Sequence, residues 1–160
     1  MKRYIAILTA LLLLVCLVGC GSSKEEAASY DLASVMSSLE EVNPIANPRD
    51  IDDFAIENDF GFAEGDVEEY LGKISNDQGD SGMILLIKAA EGKGEDVKTA
   101  LETYKADQVA FYGNYAEFAQ GMALIQDGRI VQDGDYVFLV FSSLSVNGYD
   151  AIDSALSSLS

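Results

Sequence analysis

Two apolar runs without a charged residue constrain the fold of this chain more than any other feature. Residues 83–87 read Met-Ile-Leu-Leu-Ile, and residues 136–141 read Tyr-Val-Phe-Leu-Val-Phe. Successive side chains of a β-strand point to opposite faces of its sheet, so a strand that is apolar throughout has to be covered on both faces. We therefore predict that residues 136–141 form a central strand.

Each run follows residues that are typical of a tight connection from another strand. Residues 75–82 are rich in Asn, Asp, Ser and Gly, and they follow a strand predicted over residues 67–75. Asp133-Gly134 follows a strand predicted over residues 129–132, and Asp-Gly readily adopts the positive φ angles of a hairpin turn. The pattern predicts two hairpins.

Apolar residues at helical spacing occupy most of the remaining chain. Between Asp31, which is placed as an N-cap, and Asn43-Pro44, they recur at i, i+3, i+4 and i+7. We therefore expect one α+β domain, in which helices pack on a mainly antiparallel sheet of about four strands. The predicted helices cover residues 32–42, 48–60, 97–113, 115–125 and 149–159.

The first 20 residues resemble the signal of a bacterial lipoprotein. Lys2 and Arg3 precede an apolar stretch at residues 5–15, and residues 17–20 read Leu-Val-Gly-Cys. The apolar stretch is shorter than the about 20 residues that a membrane-spanning helix requires. The resemblance implies cleavage before Cys20 and attachment of a diacylglyceryl group to its sulfur.

The chain therefore divides into three predicted parts. Residues 1–19 are the signal peptide, residues 20–30 are small and polar enough for a flexible tether, and residues 31–160 form a single domain. Two acyl chains on one residue are sufficient for stable anchoring. We expect a protein held at the extracytoplasmic face of the cell membrane through the diacylglyceryl group on Cys20.

Composition removes several classes of function. The formal net charge is −17, and the chain contains no His and no Trp. Such an acidic chain repels nucleic acid and anionic lipid, so the lipid on Cys20 is the expected membrane contact. Cys16 falls within the predicted signal, and the usual Ser-His-Asp, Cys-His and zinc-ligand sets lack their His or thiol. We predict no cofactor, no metal site and no catalytic residue.

Two acidic segments favour alternative functions. Acidic residues are dense between Asp50 and Glu69, and paired carboxylates are the catalytic groups of glycoside hydrolases. Asp77 and Asp80 cluster in the first hairpin loop, where oxygen ligands suit calcium, but an EF-hand register starting at Asp77 has Lys88 where a Glu is required. The alternatives are a carboxylate-dependent hydrolase of an envelope substrate and a cation-binding lipoprotein.

Aromatic residues at helical spacing form the candidate ligand or partner surface. Tyr104, Tyr112, Tyr115 and Phe118 lie on the predicted third helix and its continuation. Such residues line ligand grooves, and they equally pack on a sheet with the Tyr hydroxyls at the surface. We expect a non-enzymatic binding or accessory module whose partner is a protein or an envelope component.

Short segments between residues 51 and 142 follow a recognisable pattern. They are Phe60-Gly61-Phe62 with residues 66–70, the predicted strand at 83–89, Phe111 with Tyr115, and residues 134–137. Together with the N-terminal signal, they resemble a family of lipoproteins of unknown function from Gram-positive, clostridia-like bacteria. The resemblance implies an extracytoplasmic α+β domain and brings no established activity.

Replacing Cys20 with Ser is expected to leave the domain folded and to abolish its attachment through lipid, because the acceptor sulfur is removed. Incorporation of labelled fatty acid, followed by separation of membrane and soluble fractions, measures this. A Cys20→Ser protein that still incorporated labelled fatty acid would show the assignment to be wrong.

Overall fold

The structure, a computed structural model, describes residues 29–159. The predicted signal peptide, Cys20 and the predicted tether up to residue 28 lie outside the described residues. The strands are β1 (Pro48–Asp50), β2 (Val67–Ser75), β3 (Met83–Ala89), β4 (Arg129–Asp133) and β5 (Tyr136–Phe141). The helices are α1 (Leu32–Val42), α2 (Asp53–Asn58), α3 (Gly94–Tyr112), α4 (Ala119–Gln126) and α5 (Asp150–Ser157), and a 3₁₀ turn covers Ala116–Phe118.

The strands form one five-stranded sheet of order β1-β2-β3-β5-β4, in which every neighbouring pair is antiparallel. The α+β class is confirmed, and both predicted hairpins, β2–β3 and β4–β5, are present. β5 lies between β3 and β4, which confirms that it is an interior strand. Within residues 29–159, none of the helices combines the length and apolarity needed to cross a bilayer.

The predicted strand count is one too low, because residues 48–50 were expected to begin a helix. They pair instead with residues 73–75 as an edge strand, where Pro48 has no N–H to leave unpaired. The helix begins only after Asp52, whose Oδ1 accepts a hydrogen bond from the Ala55 amide at 3.0 Å. Phe54, in the first turn of this helix, is 69% exposed.

Helices cover both faces of the sheet. Ile84 and Leu86 of β3 point toward α1 and α5, and the alternate residues of the same strand point toward α2 and α3. Every residue of β5 is buried. Within the part of the chain that the structure describes, the two cores are formed by side chains between Tyr30 and Leu159.

The described chain packs against the sheet from Tyr30 onward. The Tyr30 ring lies 5.1 Å from the Tyr136 ring and 5.5 Å from the Phe138 ring, between centroids, and its hydroxyl donates to Asp133 Oδ2 at 2.6 Å. These contacts hold the start of α1 beside the turn between β4 and β5.

A buried polar network joins the end of α1 to the end of β5. The Asn43 side chain donates from Nδ2 to the carbonyl oxygen of Phe141 at 3.0 Å, and its Oδ1 accepts from the Ser143 amide at 2.8 Å. Nearby, the Tyr149 hydroxyl donates to the carbonyl oxygen of Leu124 at 2.6 Å. Each bond satisfies a buried backbone group that would otherwise destabilise the fold.

Asn43→Ala is expected to lower the free energy of unfolding by about 2–4 kcal/mol, because it leaves two buried backbone groups without a partner. Urea unfolding followed by circular dichroism measures the change. Asn76→Ala is the matched control, since Asn76 is exposed, and it is expected to change stability by no more than about 0.5 kcal/mol. Equal effects of the two substitutions would contradict the assigned role of Asn43.

Candidate functional site

An aromatic surface forms where α3 ends and the 3₁₀ turn begins. We use this name for Phe111, Tyr112, Tyr115 and Phe118. Phe111 is 52% exposed, Tyr115 is 43% exposed, and the other two are half-buried. The four contacting pairs have ring centroids 5.2, 5.4, 5.5 and 5.9 Å apart, within the range of favourable aromatic pairs. The chain therefore presents a continuous aromatic face to solvent.

Tyr104 lies apart from this surface and packs against the core. Its ring centroid is 4.3 Å from that of Phe60, and its hydroxyl points at the Met83 sulfur, 3.9 Å away. Burial raises the pKa of the Tyr104 phenol well above its usual value. The structure brings together the other three predicted surface residues, Tyr112, Tyr115 and Phe118.

The aromatic surface is positioned by contacts at both ends of α3. At the N-terminus, the Asp135 carboxylate accepts hydrogen bonds from the amides of Gly92 and Gly94 at 3.0 and 3.2 Å, where a negative charge also suits the helix dipole. A Cβ at Gly94 would collide with the Gly134 carbonyl oxygen, so glycine is required for this approach. At the other end, the Tyr112 hydroxyl donates to the Asp80 carbonyl oxygen at 2.9 Å.

Phe111 belongs to the aromatic surface although it was not among the predicted site residues. It follows Tyr104 by seven positions, so helical spacing alone assigns it to the buried stripe of α3. The 19 residues of α3 span about 28 Å, whereas the six residues of β5 span about 20 Å. The buried residues of α3 all lie in its first half, and Phe111 lies beyond them. The sequence signal that could have placed Phe111 at the surface is the greater length of α3 compared with β5.

The polar residues of the β2–β3 loop are used to build the loop. Asp77 Oδ1 accepts from the Asn47 side-chain amide at 3.1 Å. Asp80 is buried, and its Oδ1 accepts from the amides of Gly82 and Leu144 at 2.9 and 3.0 Å. Within residues 29–159, no three His, Cys, Asp or Glu side chains lie close enough to hold a metal ion together.

An acidic cleft lies between α2 and β2. This cavity has a volume of about 330 Å³. The Tyr70 hydroxyl donates to Asp53 Oδ1 at 2.5 Å, and burial together with this bond raises the pKa of Tyr70 to about 12. Lys88 forms an ion pair with Glu68 at 2.6 Å. The carboxylates that line the cleft are Asp53, Glu57, Glu64 and Glu68.

More than half of the chain matches one protein family. The family model described as "Domain of unknown function (DUF4358)" matches residues 43–142. The chain belongs to the DUF4358 family. No curated protein and no solved structure matches it significantly.

The DUF4358 match contains the whole sheet but only one of its two helical layers. It includes α2, α3, α4 and the aromatic surface, whereas α1 and α5, which cover the other face, lie outside it. The two ends of the match meet, because the Asn43 side chain bonds to Phe141 and Ser143. The buried polar network therefore joins the two ends of the DUF4358 segment in space.

Tyr112→Phe tests how the aromatic surface is held, because it removes the hydroxyl and keeps the ring. We expect a loss of about 1 kcal/mol in the free energy of unfolding at neutral pH, from the lost hydrogen bond to Asp80. Urea unfolding measures this loss. Tyr115→Phe is the control, since no described residue bonds to that hydroxyl, and we expect a change below about 0.5 kcal/mol.

The same variant has a predicted pH signature. Burial, aided by the negative charge of Asp80, raises the pKa of Tyr112 above its usual value, so the folded chain keeps this proton to higher pH than the unfolded chain does. The contribution of Tyr112 to the free energy of unfolding is therefore complete below about pH 10, and it is lost as the pH rises above that value. Stability should fall less steeply above pH 10 in Tyr112→Phe than in the wild type, and identical slopes would contradict this.

Proposed function

We propose that this DUF4358 protein is a non-enzymatic binding module, anchored through lipid on Cys20 at the outer face of a Gram-positive cell membrane, and that the aromatic surface is its partner-binding site. The observation that carries the proposal is the exposure of Phe111 and Tyr115 side by side on a helix that is held at both ends. Contiguous exposed apolar patches mark sites of association.

The architecture supports this choice of surface. Helices cover both faces of the sheet, α1 with α5 on one side and α2 with α3 on the other. A partner of the folded domain therefore meets helices, loops or sheet edges. Among these, the aromatic surface offers rigid rings with little conformational entropy to lose on binding.

Charge favours a basic partner. Asp107 lies one helical turn before Phe111, Glu117 lies between Tyr115 and Phe118, and both carboxylates are exposed. The rings and the acidic rim together suit a protein surface that presents Lys or Arg, whose cations bind both carboxylates and aromatic faces. The net charge of −17 attracts such a partner at long range.

The proposal is tested by immobilising residues 21–160 and measuring which basic proteins of a cell-envelope extract are retained. The double variant Phe111→Ala with Tyr115→Ala is expected to reduce retention of the specific partner by about tenfold or more, as expected for aromatic residues at the centre of an interface. Added salt is expected to weaken binding further, because exposed charges contribute to it.

Phe54→Ala is the matched control, because Phe54 is an even more exposed aromatic residue, at 69%, on a different helix. It is expected to leave retention unchanged. If no basic protein is retained at any salt concentration, or if the double variant retains its partner as well as the wild type, the aromatic surface is not the binding site.

A second candidate function is hydrolysis of an envelope substrate, which the acidic cleft favours. Tyr70 already engages Asp53, and Lys88 already engages Glu68, so catalysis would depend on Glu57 and Glu64. Release of soluble sugars from purified cell wall by the wild type, and loss of that release in both Glu57→Gln and Glu64→Gln, would support hydrolysis over binding.

A further inference from the structure

A second cavity, outside the aromatic surface and the acidic cleft, lies between α3 and the connection from α4 to β4. Its volume is about 570 Å³, larger than that of the acidic cleft and within the range of small-molecule sites. One wall comes from α3 and the other from the α4–β4 connection. The lining residues are Glu102, Lys105, Ala106, Val109, Gln126, Gly128, Arg129 and Ile130.

Lys105 is the polar group in this cavity with unused binding capacity. Its half-buried ammonium donates to the Gly128 carbonyl oxygen at 2.7 Å, and no carboxylate within residues 29–159 forms an ion pair with it. An ammonium group has three donors, so two remain for a ligand. Burial lowers the pKa of Lys105, and the nearby carboxylates of Asp127 and Glu102 oppose this shift.

Arg129, the other cation of the cavity, is already paired with two carboxylates. Its Nε and Nη2 donate to the two carboxylate oxygens of Asp153 at 2.7 and 3.0 Å, and its Nη1 donates to Asp127 Oδ1 at 3.0 Å. Its guanidinium also lies 4.2 Å from the centroid of the Tyr149 ring. This residue ties β4 to α5, which leaves Lys105 to receive an anionic group.

The other residues that line the cavity indicate which further chemical groups a ligand needs. Ala106, Val109 and Ile130 provide apolar surface. Glu102 precedes Lys105 by three positions, so the two side chains leave the same face of α3, and they are not among the ion pairs of residues 29–159. The cavity therefore offers a cation, an anion and an apolar wall within one small volume.

We propose that this cavity binds a small zwitterion with an apolar body, namely an apolar amino acid or short peptide, with its carboxylate on Lys105 and its ammonium on Glu102. Overall charge favours a zwitterion over a simple organic anion, because a chain of net charge −17 repels the anion at long range and does not repel a neutral molecule. The site lies apart from the proposed partner surface and does not depend on it.

The experiment measures binding of L-leucine and of L-leucyl-L-leucine to residues 21–160 by calorimetry and by the rise in melting temperature. At least one of the two is expected to bind, and which one binds reports the length of the ligand. Isopentylamine lacks the carboxylate and 4-methylpentanoate lacks the ammonium, so both are expected to bind about tenfold or more weakly. Failure of both zwitterions to bind, or equal binding of either analogue, overturns the proposal.

Variants of Lys105 and Glu102 test which charged group of the zwitterion each residue binds. Lys105→Met keeps the length of the side chain and is expected to weaken zwitterion binding by about tenfold or more. Glu102→Gln is expected to remove the preference for leucine over 4-methylpentanoate, and it keeps the test valid if Lys105→Met is unstable. Lys98→Met, on the same helix but outside the cavity, is the control and should bind as the wild type does. Wild-type binding by both Lys105→Met and Glu102→Gln overturns the proposal.

Discussion

The fold depends on the burial of β3 and β5 on both of their faces. Neither strand has a polar side that can face water, so each has to lie inside the sheet with a helical layer above and below it. β2 and β4 flank this apolar pair, and α1 with α5 and α2 with α3 close the two layers. In the described part of the chain, the surfaces left for binding are therefore helices, loops, sheet edges and the cavities between layers.

Features that depend on local periodicity were predictable from the sequence. The two hairpins, the interior position of β5 and the capping of α1 by Asp31 all follow from patterns within about ten residues. β1 was missed because Pro-Arg-Asp carries no strand signal of its own. Its place depends on Gly72 of β2, where a Cβ would lie 2.7 Å from Ile51 Cδ1, and this contact joins residues distant in sequence.

The candidate sites were predictable in composition but not in geometry. Aromatic residues near the end of α3 were evident, yet the separation of Tyr104 from Phe111 is set by the length of α3 relative to the sheet. The cavity beside Lys105 joins α3 to residues near 128, which no local pattern relates. The dense acidic segment contributes four carboxylates to one cleft, which its density alone did not establish.

The contacts of Tyr30 and of Tyr112 lie at two different ends of the sheet. Tyr30 contacts Tyr136, at the end of the sheet where β5 begins, whereas Tyr112 bonds to Asp80, just before β3 begins. Because Met83 pairs with Phe141 and Lys88 pairs with Tyr136, these two contacts lie at opposite ends of the sheet, about 20 Å apart along β5. The chain before Tyr30 therefore joins the domain at the end of the sheet opposite the aromatic surface.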